Sequence, residues 1–348
     1  MSFFKKTSNA KKILVLDLGF LGDSIHLIPA LWLIKQSYKD AELHVAVSSN
    51  VVSLLGCFPW VNKTWGYKRY PKHATFIESL LFVLNLRKEH YDVVINLNGS
   101  DRSAWLGFLS GASDRLGRLT NRGVRKTSKI LFTDVIDYPF DIEPIFLQKC
   151  RCLERAGFPY VTPEFHCEVN PEFLNGTGIG LSDAKQYFHV SPFTTADKKE
   201  LPLDVMAEFL NRLNDQWPSK KIVLSSAPNA RETHKMNELL GRLSFVPWHV
   251  YSGNINLVQL VAVIKYSALH LSGDTGPMHI AVMTETPSIS WFQPTFSKDW
   301  LPASFMNVVL FGDEVAPEKN ITGILIDDLL TEVGNSLVNK SYSELHIH

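Results

Sequence analysis

The 348-residue sequence carries no surplus of either charge: Lys plus Arg and Asp plus Glu number 35 each. Nucleic-acid binders ordinarily show a basic excess, so no nucleic-acid partner is expected. Cysteine is scarce, at four (Cys57, Cys150, Cys152 and Cys167), with no CxxC pair. Cys150 and Cys152 stand two apart on an expected helix and therefore point to different faces. Structural thiols in a reducing compartment are the expectation. No apolar run approaches the ~20 residues of a membrane span. The opening MSFFKKTSNAKK lacks the apolar core and small-residue cleavage site of a signal peptide. The protein is therefore expected in the cytoplasm, with a frayed, solvated N-terminal tail; Phe3 and Phe4 beside Lys5, Lys6, Lys11 and Lys12 could touch an anionic membrane surface. The usual signs of metal chemistry are missing. There is no Asp-x-Asp, no HExxH and no Cys/His set at ligand spacing, so neither metal nor cofactor is expected.

What is present is a 45% apolar chain, enough for two sizeable cores. Short aliphatic or β-branched runs alternate with longer helical patterns, the mark of βα units around parallel sheets. In the first half, strands are expected at Ile13–Leu18, Leu43–Val47 and Asp92–Leu97, and helices near Ser24–Tyr38, Thr75–Glu89, Arg102–Leu109 and Ile142–Ala156. Pro29 inside the first of these implies a kink or a shifted start. Val161–Ser182, with Pro163, Pro171, Gly176, Gly178 and Gly180, has the composition of a linker. A second alternation follows. Its strands fit Gln186–Val190, Lys221–Ser225, His249–Tyr251, Ala268–Leu271, Ser288–Trp291 and Val308–Phe311; its helices fit Leu203–Gln216, Ala230–Arg242, Leu257–Lys265, Pro277–Met283 and Ile324–Val338. The fold class is α/β: two Rossmann-like domains, at 1–165 and 186–320, with a linker at 166–185, a C-terminal helix and tail at 321–348, and parallel sheets facing a central cleft where ligands of open sheets bind.

Three loops carry the chemistry. Strand Ile13–Leu18 runs into Gly19-Phe20-Leu21-Gly22-Asp23. This is neither GxGxxG nor a P-loop. Asp23 at the helix entrance reads as an N-cap or, aimed across the cleft at an acceptor hydroxyl, as a general base whose basicity the helix terminus lowers. The second loop, Ser191-Pro192-Phe193-Thr194-Thr195-Ala196-Asp197-Lys198-Lys199, offers hydroxyls and ammonium groups to a diphosphate, or is an ordinary polar turn. The third, Gly273-Asp274-Thr275-Gly276-Pro277-Met278-His279, puts Pro277 near the first helical position and exposes N–H groups of Thr275 and Gly276 to an anion. His279 lies one turn in; alone it reads as a satisfied, half-buried histidine, and Asp274 as another cap. All three loops follow strands ending on the cleft side, which three independent caps do not explain.

LGD with the following His and Pro-Ala-Leu (Leu21–Leu31), TTADKK (Thr194–Lys199) and GDTGPMHIA (Gly273–Ala281) resemble, in order and spacing, the motifs of the ADP-heptose-type lipopolysaccharide core heptosyltransferases, glycosyltransferase family 9. The resemblance covers Lys12 to about Gly312 and implies a GT-B fold, an acceptor-binding first domain, a nucleotide-sugar-binding second domain, and an inverting, metal-independent transfer. It implies Asp23 as catalytic base; Thr194, Thr195 and Lys198 as donor-phosphate contacts; and Asp274, Thr275 and Gly276, with His279 beside them, as donor-sugar and phosphate contacts. The implied donor is ADP-heptose and the acceptor the inner core, Kdo-lipid A or a core heptose, with peripheral contact at the inner face of the inner membrane. The family usually has a basic residue where this chain has Asp17, and two small hydroxyl residues where it has Gly19-Phe20.

Arg115, Arg118, Arg122, Arg125, Lys126 and Lys129 form a basic stretch without acids, broken by Gly117 and Gly123, and read as a loop or hairpin. Such runs are usually solvated; here Arg115, Arg118 and Arg122, with Arg69, would hold an acceptor rich in phosphates and carboxylates. The rival readings are a transferase for another nucleotide sugar and a catalytically silent nucleotide-binding module. A nicotinamide oxidoreductase is disfavoured by the missing GxGxxG.

Overall fold

A computed structural model describes residues 1–69, 71–119, 126–139, 143–293, 300, 307–312 and 321–344. The chain divides into two compact units, one of Met1–Glu168 and one from Val169 onward, Trp300 clustering with the first.

The first unit holds strands β1 (Lys12–Asp17), β2 (Glu42–Ser48), β3 (Lys63–Tyr67), β4 (Val93–Asn96), β5 (Asp114–Leu119) and β6 (Asp134–Asp137). They form one parallel sheet in the order β3-β2-β1-β4-β5-β6. Its helices are α1 (Phe3–Thr7), α2 (Leu21–Ile25), α3 (Ile28–Ser37), α4 (Phe76–Lys88), α5 (Asp101–Leu109) and α6 (Ile145–Arg155). β1 and β4 are buried almost throughout, as their unbroken aliphatic composition requires of strands covered on both faces.

The second unit repeats the plan. Strands β7 (Tyr187–Ser191), β8 (Lys221–Ser226), β9 (His249–Ser252), β10 (Leu269–Gly273), β11 (Ser288–Phe292) and β12 (Asn307–Phe311) run parallel in the order β12-β11-β10-β7-β8-β9. Helices α7 (Leu203–Gln216), α8 (Ala230–Leu240), α9 (Leu257–Tyr266), α10 (Gly276–Met283) and α11 (Ile326–Glu344) cover it. A core of Phe188, Val190, Leu269, Leu271 and Trp291 meets Phe209, Leu213 and Leu329 from the helices. In each sheet the strand order reverses beside its first strand, between β1 and β4 and between β7 and β10. The crevice at the carboxyl end of such a reversal is where open α/β sheets bind ligands.

Several expectations are corrected. The N-terminus is no frayed tail. Phe3 is buried, Phe4 packs on Tyr38 and Phe158, and Lys6 pairs with Asp114, so the two phenylalanines are spent on the core. The expected first helix is two. α2 ends at Ile25 and α3 restarts at Ile28, putting Pro29, which has no N–H, in a first turn where none is needed. Arg115 and Arg118 lie on strand β5, not in a loop. The two units divide at Glu168–Val169, inside the segment 166–185 expected as a linker, and that segment also contributes Leu174 and Ile179 to a second-unit cluster with Tyr187 and Val263.

Candidate functional site

In the first unit, β1 delivers Asp17 to the carboxyl edge and the chain turns through Leu18-Gly19-Phe20 into α2. Asp17 is buried at 1% exposure. Its Oδ1 accepts from the Gly19 N–H (3.2 Å) and from Asn98 Nδ2 (3.1 Å), just beyond β4. Its Oδ2 accepts from Lys149 Nζ at 2.6 Å, and the same ammonium donates to the Asp23 carbonyl at 2.8 Å. Lys149, from α6, thus ties the end of β1 to the first turn of α2. Two buried charges that satisfy each other and a backbone carbonyl avoid the cost of an isolated buried ion.

Asp23 sits in that first turn, half-buried, its Oδ2 accepting the Phe20 N–H at 2.9 Å. Burial pushes its carboxyl up from the ordinary carboxylate range, and the neighbouring Asp17 charge pushes it further; Lys149 and the Phe20 N–H pull the other way. The weakening expected from the helix terminus is outweighed by desolvation and the second carboxylate. Gly19 is explained by the same geometry, since a Cβ there would stand 2.4 Å from Asp23 Cβ and 2.6 Å from its Oδ2.

In the second unit, the loop after β7 and the turn after β10 meet. Gly273 is the crossing point: a Cβ on it would lie 2.7 Å from the Lys199 carbonyl and 3.1 Å from Thr194 Cγ2. Asp274, 9% exposed, pairs with Lys199 at 2.5 Å. The expected cation, Lys198, is exposed, while Lys199, the neighbour passed over in the sequence, is the one the turn at Asp197–Lys199 brings to Asp274. Thr194 is buried; its hydroxyl donates to the Ala196 carbonyl (2.9 Å), closing its own turn, and Thr195 is exposed. Glu200, also buried, accepts from the Thr194 N–H (2.8 Å), Arg231 (2.6 Å) and Lys235 (2.7 Å). Helix α8 thereby clamps the loop, a role without any local sequence signal.

Thr275 caps α10 with no side-chain cap bond, and Pro277 occupies the first turn. The Thr275 hydroxyl is thus not used as a cap; Pro277 has no N–H and the Met278 N–H donates to the Thr275 carbonyl (3.1 Å), so the Gly276 N–H is the amide that stands at this helix N-terminus, where anions bind. His279 is buried, and its pKa is lowered to about 4 by desolvation, against the pull of Asp274. It is neutral at physiological pH. Beneath this cradle His189 Nδ1 and His270 Nδ1 share a hydrogen bond (2.8 Å), and His270 Nε2 meets Ser272 Oγ at 3.0 Å, one residue before Gly273.

The expected acceptor cations are not brought together. Arg69 is exposed in the turn after β3. Arg115 lies at the start of β5, the edge opposite Asp23, and donates to the Leu131 (2.8 Å) and Ala112 (2.5 Å) carbonyls. Arg118 is 1% exposed, bound to Gln148 Oε1 (2.5 Å) and the Tyr138 carbonyl. Neither is a solvated cation of a loop. Arg122 lies outside the described residues.

The sequence model of glycosyltransferase family 9 (heptosyltransferase) matches residues 81–323. The lipopolysaccharide core heptosyltransferase OpsX of Haemophilus influenzae is 23% identical over 287 residues, 82% of this chain and 80% of that protein. Among solved structures, a family 9 glycosyltransferase from Veillonella parvula superposes with a TM-score of 0.81 at 16% identity, covering 94% of this chain and 97% of the other. The Escherichia coli ADP-heptose lipopolysaccharide heptosyltransferase II gives 0.76 at 21% identity, covering 95% and 99%. These likenesses speak to the fold, which is GT-B, two Rossmann-like units in one chain. With the family match spanning well over half of its length, the chain belongs to glycosyltransferase family 9, the heptosyltransferases, and is a glycosyltransferase.

Proposed function

We propose that the protein moves a heptose from ADP-heptose to the lipopolysaccharide inner core, Kdo-lipid A or a core heptose, with inversion at the sugar carbon and without a metal. The observation that carries the reading is Asp23: a carboxylate at the carboxyl edge of β1, held by the Phe20 N–H and made more basic by burial beside Asp17. Family membership and the names of the relatives support the donor and acceptor.

In this mechanism Asp23 takes the proton of the acceptor hydroxyl as its oxygen attacks the anomeric carbon. The bond from that carbon to the diphosphate oxygen breaks, and ADP leaves with the electron pair. Inversion follows from a single displacement. The second unit supplies the leaving-group side. The Thr275 hydroxyl and the N-terminus of α10 at Gly276 face the growing diphosphate charge, joined by Lys199 and by Thr195 and Lys198 from the exposed part of the loop. Thr194 shapes that loop, and neutral His279 packs beneath Asp274, which orients Lys199 or a sugar hydroxyl.

The test separates binding from turnover. Asp23→Asn should bind ADP-heptose with unchanged affinity by calorimetry and lose about 10²–10⁴ of kcat, the usual worth of a general base. Retained turnover would reject Asp23 as base; a panel of nucleotide sugars in the same calorimeter, with ADP-heptose bound no better than the rest, would reject the donor.

A further inference from the structure

Helix α4 is apolar on two sides. One side, Phe82, Val83 and Leu86, packs on the first unit's core. The other carries Phe76, Ile77, Leu80, Leu81 and Leu84, all between 43% and 67% exposed. At 100° per residue these five fall on a single arc pointing away from the sheet. On neighbouring α5, Trp105 and Phe108 are also exposed and stack edge to face at 6.1 Å. An exposed apolar arc of this kind on a folded unit marks something that covers it.

The charges around it say what. Residues 68–89 contain five cations, Lys68, Arg69, Lys72, Arg87 and Lys88, and two acids, Glu78 and Glu89, in a chain balanced overall; Glu89 is paired with Lys12 and Lys63. Glu78 is engaged at the α4 N-terminus with Thr75 and faces Lys68 at 3.6 Å. The cations fall in the turn leading into α4 and in its last turn, so the apolar row lies between two basic ends. Among the described residues no helix is long and apolar enough to cross a membrane.

We propose that the α4–α5 face docks on an anionic lipid bilayer, the leucines and aromatics entering the headgroup–acyl boundary and the flanking cations contacting lipid phosphates. A helix with an apolar outer arc, basic flanks and too little length to span is the physical description of an interfacial anchor. A second copy of this chain fits less well, because pairing the patch with itself would set the same cations against one another. None of these side chains is assigned a part in the reaction proposed above, and lipid binding is read without turnover, so failure of one leaves the other testable.

The test uses the full chain and vesicles without donor or acceptor. Co-sedimentation should show the protein binding phosphatidylcholine vesicles doped with phosphatidylglycerol at least about tenfold more tightly than phosphatidylcholine alone, the advantage fading at high salt. A Leu81→Glu/Leu84→Glu variant should lose binding by about tenfold or more, with an unchanged circular dichroism spectrum, since both positions already face solvent. An Arg87→Glu/Lys88→Glu variant should keep the residual binding to neutral vesicles and lose only the anionic gain. The inference is overturned if the wild-type chain stays in the supernatant with anionic vesicles, or if the leucine variant binds like wild type. It is equally overturned if light scattering shows a dimer that the leucine variant dissolves while vesicle affinity is untouched.

Discussion

At the scale of single residues, a carboxylate, Asp17, stands at the end of β1, and its counter-ion Lys149 comes from 132 residues away. Both are essentially sealed from solvent. The pair acts on Asp23 through charge and through the Lys149 bond to the Asp23 carbonyl. If Asp23 is the base, it works ionised, and activity rises with pH through its pKa. Asp17→Asn removes one of the two influences that raise that pKa and leaves the Lys149 charge unopposed. The acidic limb of kcat/KM should therefore move to lower pH, with donor affinity unchanged. Lys149→Met should move it the other way and, by stranding a buried carboxylate, cost about 3–5 kcal/mol of stability in denaturant titration. Acidic limbs that coincide in all three proteins would dissociate Asp17 and Lys149 from the base.

At the scale of elements, each unit has a glycine where two of its own segments touch. Gly19 makes room for Asp23, and Gly273 for the loop after β7. The two should fail differently. Gly19→Ala should depress turnover at least tenfold and spare donor affinity; Gly273→Ala, whose Cβ meets the Lys199 carbonyl, should weaken ADP affinity in calorimetry. Equal effects on affinity would show that the loops do not divide the work this way. Much of this architecture is legible in the sequence. Helix α7 falls at Leu203–Gln216, as its periodicity predicts, and the central strands announce themselves by aliphatic runs. The outer strands do not. β5 reads DRLGRL, which looks like a basic loop, because its burial of Leu116, Gly117 and Arg118 in a row depends on distant partners, Gln148 and the Tyr138 carbonyl, that satisfy the Arg118 guanidinium. The site residues missed share a cause as well. Lys149, Arg231 and Lys235 act across long sequence separations, and the choice of Lys199 over Lys198 is made by a single turn of backbone that composition does not encode.

At the scale of the molecule, the two units repeat one topology but differ in how their interiors answer acid. The second places His189, His270 and His279 in full burial, on β7, β10 and α10. Desolvation lowers the first to about 3, the second well below its usual value and the third to about 4. Each is neutral when folded and takes up a proton on unfolding once the pH drops below about 6.5. Their stabilising contribution is therefore complete above that value and declines as pH falls toward 4, by up to about 1.4 kcal/mol per pH unit for each histidine. In the first unit, His44 alone is shifted in the same direction among the histidines with a resolved shift, by burial and by Lys12 and Lys63, with Glu89 and Glu42 opposing. Acid should therefore loosen the second unit first. Hydrogen exchange at about pH 7 and pH 5, corrected for intrinsic rates, should show protection of β7, β10 and α10 amides falling well before that of β1 and β4. Protection lost equally in both units would mean that they unfold as one cooperative body. Protection kept in β7 and β10 would mean that the histidine pair is relieved of its burial by a route other than unfolding.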